Sequence, residues 1–347
     1  MRKPYACIYP LLGLVLLLAT GCDTFLGFNL KDDAYREPSL SLYTPIRVVG
    51  EGQEVTIKVV AQHGSDYYFS ETQQWQPAAQ VVDTDWLQAK IEANNAPASG
   101  YRVFEVLCRL GVGPDMDDQT TRNISLALHV FPDLTSAYQT AIADAEVAEE
   151  SEVVDTLWSI GMGKSYLFAD YGSDGPQVVL MTWTQFDSYE QHLHDPFTTS
   201  WVTWMAIPAQ VTQAANWASM NEEEVHLRLA QYLGLPPDTP KDRIALMWVK
   251  MSDLKRPSMD PEIDDRVAQL TWSEGADEEY RTWFEANMDY SDTGYPWTRL
   301  GYTYDWGNTE NEVGASEYIL AEGAEIVVVQ VLPTAEFLQN ESYMYYY

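Results

Sequence analysis

The first part of the chain contains short runs in which apolar and polar residues alternate. The clearest runs, with a glycine-containing break at 50–53 between the first two, are residues 46–49, 55–60, 101–110 and 123–130. Alternation with a period of two predicts strands with one buried face, and such breaks are typical of turns. Several short strands separated by turns predict an all-β sandwich over residues 39–132.

Residues 133–154 change to a helical pattern. This stretch is rich in alanine and glutamate, and four alanines, at positions 137, 141, 145 and 148, fall near one face of a helix. We expect a helical linker that closes the first domain.

The strand patterns of the second half belong to a different kind of domain. Residues 177–183 and 243–251 are apolar runs that predict buried strands, and residues 326–332 predict a final strand. Helical patterns stand between these runs, so residues 155–338 are expected to form an α+β domain. An aromatic tail without a clear pattern follows at 339–347.

Two helices are expected inside this second domain. Asn221 stands three residues before Glu224, which is the capping-box arrangement at a helix start. An apolar face follows until Gly234, where glycine predicts the end of the helix. Apolar residues at helical spacing predict the other helix over residues 278–288.

The first 21 residues have the features of an export signal. Arg2 and Lys3 give a positive start, residues 11–18 form a short apolar run, and small residues precede Cys22. Eight apolar residues are too few to span a bilayer as a helix, which needs about 20. We therefore expect this segment to be removed from the mature protein.

The five residues 18–22, Leu-Ala-Thr-Gly-Cys, resemble the cleavage box of bacterial lipoproteins. The resemblance implies cleavage before Cys22 and lipidation of that cysteine, with several acyl chains (palmitate among them). Several chains matter because a single one gives only marginal membrane binding. An ordinary secretory signal with a chance cysteine is the alternative.

The residues after Cys22 bear on the location of the protein. Residues 22–38 are mostly polar and are expected to be a tether between lipid and fold. Asp23 resembles an inner-membrane retention signal of enterobacteria, which other phyla do not use. We expect a lipid-anchored protein of the cell envelope and favour the outer membrane, on either its periplasmic or its surface face.

The charge of the chain argues against nucleic acid and anionic lipid headgroups as partners. The sequence has 52 acidic and 20 basic residues, a net charge of −32. Because removal of residues 1–21 takes away two basic residues and no acids, the mature chain is more negative still. Nucleic acid is therefore not expected as a partner, since phosphate binding needs Lys and Arg. Anionic headgroups would repel the body, so the lipid anchor is the expected membrane contact.

Cofactor and metal signals are weak. Of three cysteines, Cys7 belongs to the signal, Cys22 is the expected acylation site, and Cys108 has no partner, so no cysteine-based zinc site is expected. His192 and His194 are two residues apart and could share a strand face, but no third ligand is marked. We expect neither a metal nor another cofactor.

The segment with the densest candidate chemistry is residues 297–318. Arg299 could clamp an anion and Asp305 or Glu317 could act as general acid or base. The aromatic binding candidates in the same segment are Tyr302, Tyr304 and Trp306. The alternative is a structural loop, with Arg299 paired to an acid and the rings covering a sheet.

Two further resemblances concern whole domains. The early strands, Asp85-Trp86-Leu87 and the paired late strands resemble the immunoglobulin-like modules of Bacteroidetes lipoproteins, the BACON type among them. That resemblance implies a spacer. A second resemblance, to exported bacterial proteins without an assigned function, is carried by residues 233–237, 260–262, 296–306 and 316–318. It does not indicate any particular function.

The sequence therefore predicts two domains, an immunoglobulin-like sandwich followed by an α+β domain. The favoured function is non-catalytic: a membrane-anchored lipoprotein that binds a glycan or another envelope protein. The tether, the many aromatic residues (12 Trp and 22 Tyr) and the lack of a complete catalytic signature favour this function. The alternative is an exported enzyme with its site in the 297–317 segment.

Overall fold

The computed structural model describes residues 39–62, 66–69, 74–77, 83–90, 101–111 and 121–340. The export signal, Cys22, the tether and the last seven residues lie outside these ranges, so the predictions about them stay predictions. In the part of the chain that is described, no helix combines the length and apolar character needed to cross a membrane.

The chain divides into two compact units. One contains described residues from 1–42, 58–87 and 106–125, and the other contains those from 43–57, 88–105 and 126–347. The second unit includes all the candidate residues described below. The predicted domain boundaries remain predictions.

Strands before residue 132 form two small sheets. The first has the order β1-β3-β6, and the second has the order β2-β8-β7-β4-β5, in which β2 pairs with β8 in parallel. The strands are β1 (Ser39–Tyr43), β2 (Val48–Gly50), β3 (Glu54–Gln62), β4 (Asp66–Phe69), β5 (Gln74–Pro77), β6 (Asp83–Lys90), β7 (Arg102–Gly111) and β8 (Thr121–Phe131). The four strands expected from alternation are confirmed, with small shifts at their ends.

The remainder of the chain is built on one large antiparallel sheet. Its main path is β11-β17-β13-β10-β12-β16-β14, with β9 paired to β10 and β15 paired to β16. The strands are β9 (Ala169–Asp170), β10 (Gln177–Thr184), β11 (Pro196–Thr198), β12 (Thr203–Ala206), β13 (Arg243–Lys250), β14 (Leu254–Lys255), β15 (Tyr302–Tyr304), β16 (Val313–Leu320) and β17 (Glu325–Pro333). The fold is thus rich in β-sheet, with a few helices.

Both faces of this sheet are buried at its centre, which explains the continuous apolar runs. Along β10, Val178 and Leu180 join one apolar cluster, whereas Val179 and Met181 join a second cluster on the other face. Because successive side chains of a strand point to opposite faces, both sets must be apolar when both faces are covered. The buried strands predicted at 177–183 and 243–251 are confirmed as β10 and β13.

Three of the five α-helices that the structure describes, those at residues 208–213, 222–232 and 334–339, contribute side chains to the second cluster. The α-helices are α1 (Leu134–Asp144), α2 (Pro208–Gln213), α3 (Glu222–Tyr232), α4 (Glu278–Gly294) and α5 (Thr334–Gln339). Asn221 and Glu224 form both hydrogen bonds of the predicted capping box at the start of α3. Val225 and Leu229 then place the apolar face of α3 in the second cluster.

Helix α1 ends earlier than the alanine pattern predicted. It stops at Asp144, with Ala145 as its C-cap, and only a short 3₁₀ turn, Glu150–Glu152, follows. Acidic residues crowd the region just beyond, and negative charge is unfavourable at a helix C-terminus because the carbonyl ends are already partly negative. The predicted helix over 133–154 was therefore too long.

Candidate functional site

A cavity of about 380 Å³ lies beside the ends of β10 and β12. Strand β10 contributes its last four residues, β12 contributes all four of its residues, and β16 contributes Glu317. The loop after α3 and the segment 295–297 complete the wall. This volume falls in the range of small-molecule sites, roughly 300–1,000 Å³.

The wall of this cavity is unusually aromatic. Its aromatic residues are Trp183, Tyr189, Trp201, Trp204, Tyr295, Trp297 and Tyr304. Three of them remain partly open to solvent, with exposed fractions of 38% for Trp201, 37% for Trp204 and 38% for Tyr295. Large apolar groups left accessible at a concave surface are typical of a ligand contact.

Packing against helix α4 holds two of these rings in place. The Trp204 and Trp297 centroids are 5.8 Å apart with the rings nearly perpendicular. Behind them, Trp283 lies 6.1 Å from Trp204 and Phe284 lies 4.8 Å from Trp297. The first pair packs edge to face and the other two pairs are tilted, and aromatic pairs are favourable at centroid distances of this size. These contacts position Trp204 and Trp297 in the cavity wall.

Two buried polar atoms in this wall have no hydrogen-bond partner among the described residues. They are Oε2 of Glu317 and Nε1 of Trp297. A buried donor or acceptor without a partner costs about 1–3 kcal/mol, so folded proteins rarely retain one without a reason. Both residues line the same cavity, so a polar ligand that displaces the groups covering these two atoms would satisfy them.

The environment of Glu317 changes its acidity. It lies on β16 opposite Ala206 of β12, and its backbone N–H donates to the Gly301 carbonyl at 3.0 Å. Although the residue as a whole is only half-buried, its Oε2 atom is closed off from solvent. Burial raises the pKa of the Glu317 carboxyl to about 8, so this group is mostly protonated at neutral pH.

Lys241 stands at the junction of this cavity with a second one of about 620 Å³. Its Nζ donates to the Trp183 carbonyl at 2.9 Å, and burial lowers the pKa of the amine. The two cavities share five wall residues: Thr184, Trp201, Leu235, Lys241 and Tyr295. The two cavities are therefore direct neighbours, and we refer to them together as the cleft.

The Arg299 side chain bonds to a backbone carbonyl and does not line the cavity. It occupies a left-handed backbone position with φ of 61°, and its guanidinium donates to the carbonyl of Ala145. Because Ala145 caps the C-terminal end of α1, the cation meets the partly negative end of that helix. Arg299 is absent from the residues that line the cavity.

Asp305 is also directed away from the cavity. Both of its oxygens accept hydrogen bonds from Arg228 of α3, at 2.7 and 2.6 Å, and the pair is largely buried. Asp305 also accepts from the Gly307 N–H at 3.0 Å. Arg299, Asp305 and Glu317 therefore do not line one cleft, and of these three only Glu317 faces the cavity.

The aromatic candidates of the same segment divide in the same way. Tyr304 lies in the cavity wall, and its hydroxyl donates to Asp144 at 2.7 Å. The hydroxyl of Tyr302 donates to the Glu152 carbonyl, and the indole of Trp306 donates to the Leu235 carbonyl, both at 2.9 Å. Tyr302 and Trp306 are thus buried groups with backbone partners.

The two histidine candidates, His192 and His194, have different contacts. The His192 ring stacks on Phe197 with a centroid distance of 4.4 Å. His194 has a left-handed backbone (φ of 65°), and its N–H donates to the Val328 carbonyl. Within the described ranges, no group of three or more His, Cys, Asp or Glu side chains could hold a metal ion.

Sequence reasoning missed most of the cleft. Trp201 and Trp204 lie in Ser-Trp-Val-Thr-Trp, and Trp297 lies in the Pro-Trp pair that starts the segment already singled out. Paired tryptophans near a strand were the signal that could have identified the first two. Lys241 carried no signal beyond its charge in a strongly acidic chain.

Comparisons with known proteins do not assign this chain to a family. No protein-family model matches the chain, and no curated protein sequence matches it at a significant level. Among solved structures, the sporulation control protein Spo0M from Bacillus subtilis aligns with 74% of this chain and 99% of its own. The sequence identity is 9% and the TM-score is 0.21, a likeness too low to support any conclusion.

Proposed function

We propose that this protein is a lipid-anchored glycan-binding protein of the bacterial cell envelope, without catalytic activity of its own. The observation that carries the proposal is the aromatic cavity in which the Glu317 carboxyl and the Trp297 indole N–H have no protein partner. The cavity is the binding site, and its partly exposed rings form the entrance.

Sugar rings match this wall better than purely apolar ligands do. A sugar has C–H faces that stack on aromatic rings and hydroxyls that both donate and accept hydrogen bonds. The exposed faces of Trp201, Trp204 and Tyr295 offer stacking surfaces. One hydroxyl accepts from Trp297 Nε1 and another bonds to the Glu317 carboxyl. An apolar ligand would leave both polar atoms unsatisfied, which costs affinity.

The first strands suit the proposed immunoglobulin-like spacer. In this interpretation β1-β3-β6 and β2-β8-β7-β4-β5 are the two sheets of the sandwich. The parallel pairing of β2 with the last strand, β8, supports it. The α+β domain of the proposed two-domain arrangement is then the ligand-binding part.

The outer membrane is the proposed location, with attachment through lipid on Cys22. The support is the cleavage-box resemblance and the export signal at the start of the chain. Metabolic labelling with a fatty-acid probe tests this part: the wild type should be labelled and Cys22→Ala should not. Equal labelling of both proteins would remove the anchor from the proposal.

An exported enzyme is the second candidate, and one observation favours it. A carboxyl with a pKa of about 8 remains protonated at neutral pH and can act as a general acid. Glycoside hydrolysis normally needs a second carboxyl within about 5–9.5 Å. Among the residues that line the first cavity, Glu317 is the single acid. This is why binding is preferred over hydrolysis.

Binding to an oligosaccharide array, followed by titration calorimetry, tests the proposal. Tyr295→Ala removes a ring at the cavity entrance and should weaken binding about tenfold, the equivalent of ~1.4 kcal/mol. Tyr171→Ala is the matched control, because Tyr171 is 43% exposed but lies outside both cavities. Its affinity should equal that of the wild type.

Three results would contradict the proposal. Binding to no saccharide, together with capture of an envelope protein, would favour the protein ligand. Turnover of a bound oligosaccharide that stops in Glu317→Gln would favour the enzyme. An equal loss of affinity in both tyrosine variants would place the binding site away from the cavity.

A further inference from the structure

Lys241 is a basic residue that lines both cavities and has no carboxylate partner among the described residues. The sequence has 52 acidic residues against 20 basic ones, so carboxylates are available nearly everywhere. Two nearby lysines follow that expectation, since Lys250 lies 3.8 Å from a Glu325 oxygen and Lys255 lies 3.4 Å from an Asp277 oxygen. Lys241 has no such ion pair with any residue that the structure describes.

The position of Lys241 in the cavity wall means that a ligand could supply the counterion that the described residues do not. Its stem is half-buried, and Nζ has one protein acceptor, the Trp183 carbonyl. An ammonium group has three donor hydrogens, so two remain for other partners. Charged groups taken out of water are normally paired. The amine lies in the wall shared by the two cavities, where a bound molecule could provide that pair.

We infer that the cleft binds an acidic oligosaccharide whose carboxylate pairs with Lys241. The inference rests on the proposed glycan-binding function and names the class of its ligand. A sugar ring in the first cavity bonds to Glu317 and Trp297, and the chain continues past Lys241 into the second cavity. The carboxylate of a uronic acid residue then accepts hydrogen bonds from Nζ.

The acidic character of the protein does not prevent this pairing. Charges farther away than about 8 Å are largely screened at physiological ionic strength. Two acids lie in the cleft walls: Glu317, which burial keeps mostly protonated, and Asp187, which is exposed in the second cavity. The single amine at the junction therefore sets the local preference for charge, and Asp187 favours placing the carboxylate at Lys241 instead of deeper in the second cavity.

Pairs of ligands that differ only in charge provide the test. Uronic acid oligosaccharides are compared by calorimetry with their methyl esters and with neutral oligosaccharides of the same length. The measured quantity is the ratio of the affinity for the acid to the affinity for its ester. We expect a ratio of at least about ten for the wild type, as for a hydrogen bond to a charged partner.

Two variants separate charge from packing. Lys241→Met keeps the apolar stem and removes the charge, so the ratio should fall to about one. Lys241→Arg keeps the charge, so the ratio should stay well above one. Thermal unfolding of each variant shows that the fold is retained, and because the readout is a ratio, a general loss of affinity does not imitate the effect.

The outcomes distinguish the inference from the proposed function. Binding of neutral sugars with no preference for acids, or a preference that survives in Lys241→Met, would overturn the inference alone. Binding of no saccharide at all would overturn both. A further arm titrates inorganic phosphate: if phosphate binds at Lys241 and the uronic acids do not, the amine takes a free anion and the inference is wrong.

Discussion

Replacement of Glu317 by glutamine should make the protein less sensitive to alkaline pH. Glutamine has nearly the shape of a protonated carboxyl but cannot ionise. The Glu317 carboxyl has a pKa of about 8 in the folded protein, because burial disfavours its charged form, against an ordinary value of 4.5. Wild type and variant should therefore differ in how their stability changes with pH.

The direction follows from which state holds the proton. Below pH 4.5 the carboxyl is protonated in both the folded and the unfolded chain. Between pH 4.5 and pH 8 the unfolded chain loses this proton while the folded chain keeps it. The stability that the protonated group contributes is thus present below pH 4.5, falls as the pH rises, and is gone above pH 8.

The size of the effect can be worked out from the same values. Each pH unit in that window costs the wild type about 1.4 kcal/mol of unfolding free energy. The window from 4.5 to 8 would give roughly 5 kcal/mol as an upper bound. Water entering the cavity reduces this cost, so we expect about 3–4 kcal/mol, a large share of a typical stability of about 5–15 kcal/mol.

Urea denaturation at closely spaced pH values between 4 and 9 measures the effect. The quantity of interest is the unfolding free energy of Glu317→Gln minus that of the wild type, in which the titration of all other groups cancels. This difference should rise between pH 5 and pH 8 and then level off. Glu322→Gln, at an exposed acid just after the same strand, is the control with the same change in charge.

A flat difference across this range would refute the reasoning, because the carboxyl would then be ionised in the folded protein at neutral pH. The same result in Glu317→Gln and Glu322→Gln would show that net charge, not burial, causes the effect. In both cases the second candidate function would also lose its general acid.

Two further predictions concern the buried groups outside the cavity. Arg299→Ala should lower the free energy of unfolding by about 1.5–3 kcal/mol, since it removes the charged donor to the Ala145 carbonyl. Arg299→Gly should be about 1 kcal/mol more stable than Arg299→Ala, because glycine tolerates the left-handed backbone. Both variants should bind ligand like the wild type, and calorimetric loss of binding in a folded Arg299 variant would contradict the structural role. Asp305→Asn leaves Arg228 buried without its counterion and should cost about 3–5 kcal/mol in urea denaturation. Adding Arg228→Met should recover part of that loss, and no recovery would mean that the pair is not what Asp305→Asn disrupts.

Local patterns in the sequence were sufficient for five elements of the second half: β10, β13, β17, α3 and α4. The capping pair Asn221 and Glu224 located the start of α3 to the residue. The apolar runs located β10 and β13 because strands buried on both faces must be apolar throughout. Helix α4 runs six residues beyond its predicted end, to Gly294, because the apolar pattern weakens before the helix ends. These features depend only on neighbours within a few residues.

The role of each charged candidate depended on partners far away in the chain. Arg299, Asp305 and Glu317 lie within 19 residues, yet each meets a different element: the end of α1, Arg228 of α3, and the cavity beside β12. The sequence analysis considered an acid as the structural partner of Arg299. In the structure the guanidinium donates to a backbone carbonyl at the end of α1. Sequence spacing cannot distinguish these outcomes, because it does not say which elements become neighbours.

The sequence by itself determined the acidity, the alternating pattern of the early strands and the cap of α3, since each is a local property of the chain. The export signal is a prediction of the same local kind. Only the tertiary structure decided the cleft. Trp201, Lys241, Trp297 and Glu317 meet there from four separate segments. The register of β12 against β16, which places Ala206 opposite Glu317, fixes where that carboxyl lies relative to the rings. Register is set by the packing of whole sheet faces, and that information is distributed over the entire chain.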